Sequence, residues 1–597
     1  MKIKDIPFMK PIVKQWPLML AYIVLIGWSS VTKNPIPRWM LIFLHAYLVA
    51  AVVTWSHSRV VKVLAYVIIY VLFTTEITLE WIFGMNISPS VITLLVETNA
   101  RESEEFLESM LDKPQLWQVP LCVVCMAILN VMAEKNRLRI NEWIQGHRTI
   151  LVLKTIATIL LVGGIVFSYH YVKLFMCDEM NEVDEWRSHM RNPDDLVTKV
   201  VVSFYDMSIA EKEMSRVITL AESLPHFSHP RTPQDDSLNL IVVIGESYIR
   251  EHAALYGYPL QTTPFLSREQ HEGRLFVFTD MVSPYNQTTR VIRNLLSCNS
   301  LSDGEDWTSA PPLTAIYKKS GYHVAMYDNQ KDFDMGFVFA FSLNTYLYHP
   351  RMMEACYHET NDSTFEYDGQ LVDYYRRTHT PHTTLHTPHS TLHSPHSTLH
   401  SPKNLILFHL LGQHVGFQYR YPETFTHFTR DSLGFRQESW LTEEMRDDIA
   451  HYDNATRYND HVLEQIIRLY EGQRTVVVYL SDHGEEVYDY RASSGRDDWS
   501  LGSDPRQALR CQYMVPFMVW CSEEYQAAHP DRTAQLRAAT TRPGMLDNVC
   551  QMLFGFSGLH TPYYHPKRDM LSPLYERPRR VINDAIDCDS LLKSVAE

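Results

Sequence analysis

Five apolar segments occupy the first third of this chain, and they limit its possible folds more than any other feature. They span residues 17–31, 39–55, 63–83, 116–132 and 149–171. Each is long enough, or nearly so, to cross roughly 30 Å of hydrocarbon as a helix. Trp16, Trp39, Trp55, Trp81 and Trp117 stand at their edges, as interfacial aromatics do. No small-residue cleavage site follows the first segment, so it is read as a span and not as a signal peptide. With a cytoplasmic amino terminus, ten Lys and Arg fall on inside segments and four on outside loops (Lys33, Arg38, Arg101 and Lys113). That asymmetry obeys the positive-inside rule. Five crossings then leave everything after Tyr171 outside the cytoplasm.

A chain of 597 residues needs two or more domains. The expected division is a membrane domain over 1–172, an amphipathic connector over 173–236 and a soluble domain over 237–597. In the connector, Val197, Val200, Val201 and Phe204 form an apolar stripe suited to a membrane surface or to the soluble domain. A formal net charge of −15 argues against a nucleic-acid partner, which would want a basic face. Nine cysteines are few for the length, and none outside the membrane stands in a CxxC pair, which disfavours a cysteine-based zinc site. Cys298, Cys356, Cys511, Cys521, Cys550 and Cys588 lie where disulfides form, and some pairing among them is expected.

From residue 237 apolar runs alternate with helical patterns, which predicts an α/β fold with a mostly parallel sheet. The expected strands are 240–244, 275–278, 323–327, 405–410, 476–480 and 517–520. A long helix is expected over 442–470, with Ile449, Tyr452, Ala455, Val462, Ile466 and Ile467 on its inner face and Gly472 past its end. Residues 379–402 repeat a seven-residue unit of His, Thr, Ser and Pro that holds seven of the 28 histidines. With one leucine per unit and little else to bury, it is expected to be a surface insertion.

Two of the strands carry chemistry at their carboxyl ends, where ligands sit in open α/β sheets. Thr475-Val-Val-Val-Tyr-Leu-Ser runs into Asp482, His483 and Gly484, and Leu238-Asn-Leu-Ile-Val-Val-Ile runs into Gly245 and Glu246. A capped turn would account for Asp482 and His483 as well as a metal site would. The second acid, delivered the same way, favours one shared metal site. Downstream, "SPYNQTTRVIRNLLS" places Thr288 or Thr289 at a helix amino terminus, where backbone N–H groups and the helix dipole favour an alkoxide or a phosphate. An ordinary threonine cap is the alternative there.

The stretches "VVIGES", "GYPLQTTPFL" and "YLSDHGEE", in this order behind five spans, resemble the alkaline-phosphatase/sulfatase superfamily. Within it they are most similar to the membrane-bound phosphoethanolamine transferases, in particular the branch that decorates the core of lipopolysaccharide. The resemblance implies a five-helix transmembrane bundle in the bacterial inner membrane. It further implies a periplasmic sulfatase-like domain, a monomer, and transfer of phosphoethanolamine from phosphatidylethanolamine to lipid A or core sugar. It implies a Zn²⁺ held by Glu246, Thr288, Asp482 and His483, with Thr288 the nucleophile that carries the phosphoryl group. It implies that His414 binds phosphate or protonates the leaving group. The family's other such histidine has no counterpart, and Arg510 or Arg496 is the candidate for its place. The loop after the third span has the spacing of an interfacial helix, and the family's similar Thr-Asn…Glu pattern there implies that Glu97, Asn99 and Glu102 face the ammonium of a lipid substrate. Asn329 and Lys331 are candidates for phosphate contact, and Asp453 and Asn454 are assigned to the fold. The rivals are a membrane-anchored hydrolase or a glycerophosphate transferase of the same superfamily, and a non-catalytic scaffold, which the complete Glu-Thr-Asp-His set disfavours.

Overall fold

A computed structural model describes residues 7–27, 35–83, 115–145, 150–175, 200, 212–227, 237–331, 343–379, 403–496 and 504–593. These fall into two compact units, which part at Lys212.

Among the described residues the first unit holds five α-helices: α1 (Lys10–Gly27), α2 (Pro35–Ser56), α3 (Arg59–Phe83), α4 (Gln115–Gln145) and α5 (Ile150–Phe175). Among the described residues four of these are long and apolar enough to cross a membrane, and α5 contains a shorter apolar run, Thr155–Val166. The helix α1 is kinked at Gln15, two residues before Pro17, whose ring and missing N–H interrupt the helical ladder. Leu18, Tyr22, Leu25, Ile42, Ala46, Ala50, Phe73 and Ile77 make the core of the bundle. Val63, Val67, Val71, Leu121, Ile128 and Val152 point outward. An apolar outer face around an apolar core is what lipid requires of a bundle. One polar tie joins α3 to α4: Glu134 meets Lys62 at 2.6 Å and accepts from the Tyr66 hydroxyl at 2.7 Å. Val200 packs against this bundle, whereas Val197, Val201 and Phe204 lie outside the described residues.

The second unit opens with a helical turn over 212–222 that buries Met214, Val217, Ile218 and Ala221. Its centre is a seven-stranded sheet. The strands are β1 (Leu238–Gly245), β2 (Leu275–Phe278), β3 (His323–Asp328), β4 (Glu359–Thr360), β5 (Lys403–His409), β6 (Thr475–Ser481) and β7 (Phe517–Cys521). They lie in the order β2-β7-β6-β1-β5-β3-β4. The six expected strands are all present, and β4 is an added two-residue edge. From β6 to β4 the pairing is parallel, while β7 runs antiparallel to both β6 and β2. Every residue of β1 and β6 is buried, as in strands covered on both faces.

Three helices matter for the site: α6 (Thr288–Leu295), α7 (Asp368–His379) and α8 (Glu443–Arg468). The helix α8 begins at the Thr442 cap, whose hydroxyl accepts from Met445 N–H, and its six expected inner residues are buried. Such a cap contributes about 1 kcal/mol. Beyond its end, Gly472 takes a left-handed conformation (φ 74°). The repeat beyond His379 lies outside the described residues. The eight described cysteines are all free, and the six expected outside the cytoplasm are each buried in the domain. The expected pairing is therefore corrected: these thiols serve as small apolar core residues.

Candidate active site

The parallel register of β1 and β6 sets the site. Gly245 pairs with Ser481, so the next residue on each strand, Glu246 and Asp482, emerges side by side at the carboxyl edge of the sheet. The turn after Glu246 is held open by Ser247, a non-glycine residue in the left-handed region (φ 56°). Backbone strain of that kind costs on the order of 1–3 kcal/mol and persists only where neighbours fix it. Here Tyr452 of α8 does so: its hydroxyl donates to Ser247 O at 2.6 Å and accepts from Ile249 N–H at 2.7 Å. In return the Ser247 N–H reaches Asp482 Oδ1 at 3.2 Å, and its hydroxyl donates to Glu246 Oε1 at 2.8 Å. On the other strand Gly484 permits a close backbone approach, since a Cβ there would lie 1.9 Å from Cys511 O.

Around this edge four side chains converge. Thr288, the first residue of α6, donates its hydroxyl to Glu246 Oε2 at 3.0 Å and lies 3.2 Å from His483 Nε2. His483 Nε2 is 3.3 Å from Glu246 Oε1 and 3.1 Å from Asp482 Oδ2. Glu246, Asp482 and His483 are fully buried, and one ligand atom from each lies within 4.8 Å of the others. Thr288 sits at the first helical position and not at the cap, which is Gln287.

The electrostatics suit a cation. Burial raises the Glu246 carboxyl, but the Arg496 guanidinium beside it acts the other way and the carboxyl lies below the usual range. Burial and the adjoining Glu246 carboxylate push Asp482 well above the usual carboxylate range. The two adjoining carboxyls thus divide their charge, as like groups in contact must. Burial, then the Arg496 guanidinium, pushes His483 down to about 3, which keeps its ring neutral. Its Nδ1–H donates to Gly484 O at 2.9 Å, leaving the Nε2 lone pair aimed into the cluster. Asp482 Oδ2 is buried with no hydrogen-bond partner. Two carboxylates, one imidazole nitrogen and a hydroxyl, with one buried oxygen unsatisfied, match the donor set that zinc takes in proteins.

Three groups at the site escape the strand-end pattern. Arg496 lies in hydrogen-bond contact with His483 Nε2, with its Nη1 3.9 Å from Glu246 and its Nε 3.5 Å from Glu485. Of the two candidate arginines it is the one at the cluster; Arg510 is exposed on the helix Pro505–Gln512. Gln330, not its neighbours, reaches Glu246, at 3.4 Å, and donates to Leu410 O at 2.7 Å. Asn329 is engaged by Asp368 and by Phe365 N–H, while Lys331 is engaged by Thr360 and Asn361 O. Ser247 is the third group, and the strain that aims it has no signature in the sequence. His414 follows β5 in a turn where its N–H donates to Leu411 O at 3.1 Å. Asp453 and Asn454 hold the fold: Asp453 grips His252 at 2.7 Å, and Asn454 accepts from His427 and Phe428 N–H. Glu97, Asn99 and Glu102 lie outside the described residues.

The Sulfatase family model matches residues 238–543, more than half of the chain, and the chain belongs to that family. It is a multi-pass membrane member with a sulfatase-like α/β domain at its carboxyl end. Its relatives include Phosphoethanolamine transferase EptC of Escherichia coli K12, 25% identical over 593 residues, covering 96% of this chain and 93% of that protein. Another is Phosphoethanolamine transferase CptA of Salmonella typhimurium, 25% identical over 599 residues with the same coverage. The crystal structure of the C-terminal periplasmic domain of E. coli EptC superposes with a TM-score of 0.50 at 27% identity, covering 62% of this chain and 98% of that one. Full-length lipooligosaccharide phosphoethanolamine transferase A of Neisseria meningitidis shares the fold over 95% of this chain and 98% of its own (TM-score 0.53, 15% identity).

Proposed function

We propose that this chain is a bacterial inner-membrane phosphoethanolamine transferase. It moves phosphoethanolamine from phosphatidylethanolamine onto lipopolysaccharide, at lipid A or a core sugar, through a phosphothreonine at Thr288. The observation that carries this reading is the Thr288 hydroxyl lying between Glu246 and His483, in a chain with a membrane bundle at its amino end. The relatives support it, being named phosphoethanolamine transferases over nearly the whole chain. A further relative is named Kdo(2)-lipid A phosphoethanolamine 7''-transferase and is 24% identical over 313 residues. A periplasmic soluble domain, acting as a monomer, goes with the same reading.

The residues divide the work. Glu246, Asp482, His483 and Thr288 Oγ1 would hold Zn²⁺, which when bound lowers the pKa of the threonine hydroxyl and draws charge from the phosphoryl oxygens. Glu246 Oε2 accepts the hydrogen bond that aims Thr288 Oγ1. The Thr288 hydroxyl passes its proton to Glu246 Oε2, its hydrogen-bond acceptor, as Oγ1 bonds to the phosphorus and the bond from phosphorus to the glyceryl oxygen breaks. His414 delivers a proton to that oxygen, and diacylglycerol departs. The N–H groups at the start of α6 and the Arg496 guanidinium face the negative phosphoryl oxygens. An acceptor oxygen then attacks the same phosphorus and gives its proton to the now deprotonated His414, and Thr288 Oγ1 leaves, recovering its proton from Glu246. The burial of Glu246, Asp482 and His483 strengthens each of these interactions over its value in water.

The test uses the full chain in vesicles of phosphatidylethanolamine. Zinc should support release of diacylglycerol, a chelator should stop it, and mass spectrometry should find phosphoethanolamine on the Thr288 peptide. Release of diacylglycerol with no modified threonine would end the covalent reading. Free phosphoethanolamine as the sole product, with lipopolysaccharide present, would favour a hydrolase.

A further inference from the structure

A cavity of about 660 Å³ lies in the second unit apart from the cluster around Thr288. Four cations line it, Lys567, Arg568, Arg577 and Arg579, against two acids, Asp303 and Glu576. The wider charge environment is paired: Lys567 with Glu576 at 2.7 Å, Arg577 with Asp589 at 2.6 Å, Arg579 with Asp587 at 3.6 Å, and Arg568 with Asp303 and Glu305. The Lys567, Arg577 and Arg579 side chains are 68%, 47% and 70% exposed. Exposed pairs of that kind contribute little, so these three can turn to an incoming anion at small cost.

Asn548 gives the cavity its second character. It lines the cavity and is 5% exposed. Its Nδ2 donates to Asp547 Oδ1 at 3.1 Å, but its Oδ1 has no hydrogen-bond partner. A buried acceptor left unpaired is destabilising, and a hydroxyl donor supplied by a ligand removes that penalty. Cations beside an unsatisfied acceptor ask for a ligand with both phosphates and hydroxyls. The cavity is also tied to the nucleophile. Asp303 ends the turn Leu301–Asp303, a few residues beyond the eight-residue α6 that begins at Thr288. Leu301 N–H donates to Asp547 Oδ2 at 2.9 Å, next to Asn548. The helix spans ~12 Å from Thr288 to its far end, and a ligand covering that length is an oligosaccharide and not a single sugar.

We propose that this cavity binds the phosphorylated oligosaccharide of the acceptor glycan, with Arg577 and Arg579 on its phosphates and Asn548 Oδ1 on a sugar hydroxyl. The proposal names the acceptor subsite of the transferase and rests on that reading. The experiment titrates the full-length protein in detergent with phosphorylated core oligosaccharide freed from lipopolysaccharide, and with the same material after its phosphates are removed. In the double variant Arg577→Gln/Arg579→Gln the dissociation constant for the phosphorylated ligand should rise about tenfold or more. The dephosphorylated ligand should bind weakly to both proteins. Asn548→Leu should weaken both ligands, with the unfolding temperature of each variant kept within a few degrees of the parent. Diacylglycerol release from phosphatidylethanolamine should be unchanged in the arginine variant while the KM for acceptor rises. Equal affinity in parent and arginine variant would overturn the proposal, as would a loss confined to binding of anionic lipid vesicles. If the parent binds the phosphorylated oligosaccharide and the variant does not, yet no phosphoethanolamine is transferred, the cavity stands and the transferase reading falls.

Discussion

Thr288 brings one hydroxyl to two buried metal-ligand candidates, so its replacement separates chemistry from fold. Thr288→Ala removes the hydroxyl that bonds to Glu246 and meets His483. Diacylglycerol release should fall by at least about 1000-fold with the unfolding temperature unchanged, while Thr288→Ser, which keeps the oxygen, should retain part of the activity. A second buried group carries a stability prediction. Burial would lower His252, but Asp453 and Asp489, at 2.7 and 3.0 Å, outweigh it and push the imidazole up to about 10. Its folded value thus exceeds the ordinary value of about 6.5, so the stability it contributes is complete below about pH 6.5 and is lost as pH rises through about 10. His252→Asn should cost about 3 kcal/mol near pH 7, and the gap between parent and variant should close toward pH 10 in denaturant titrations. A gap that does not change with pH would show that His252 is neutral in the fold. At this scale the sequence was legible where a strand ended in an acid: Glu246, Asp482 and His483 stand directly after apolar runs. Arg496, Gln330 and Ser247 were not legible as a set, because loop geometry and one strained residue bring them in.

The elements that deliver the site are two parallel neighbours and one short helix. Gly484 shows how little slack they have. Its missing Cβ would meet a backbone oxygen, Cys511 O at 1.9 Å, and not a flexible side-chain tip. Gly484→Ala should therefore move the turn that carries Asp482 and His483, lowering both zinc content and unfolding temperature. Gly434→Ala, with no heavy atom within 4 Å, should change stability by no more than about 0.5 kcal/mol. Bound zinc at the parental level in Gly484→Ala would argue that the turn does not position the ligands. Apolar period and length made six strands and the long helix readable. They could not give the direction of β7, because an apolar run reads the same in either sense, nor β4, whose two residues carry no pattern.

At the scale of the whole molecule, the separation at Lys212 makes the soluble unit testable by itself. Residues 212–597 should fold with a single transition and take up zinc. They should release diacylglycerol from phosphatidylethanolamine vesicles at least about tenfold more slowly than the full chain, because the membrane helices raise the local concentration of the lipid. Equal rates would mean that the bundle plays no part in presenting the donor. The five apolar runs set off a membrane part over 1–172 but carried no sign of a parting at Lys212, and the free state of the cysteines did not show in their spacing. The pairing of Gly245 with Ser481 has a last consequence, for how such a chain can diverge. Since the ligands are aligned by counting along two adjacent strands, exchanges of one aliphatic side chain for another leave the count intact. Adding or dropping a single residue within either strand would displace a carboxylate by about 3.3 Å and turn it to the opposite face of the sheet. Drift in amino-acid identity is therefore cheap here, and drift in length is not.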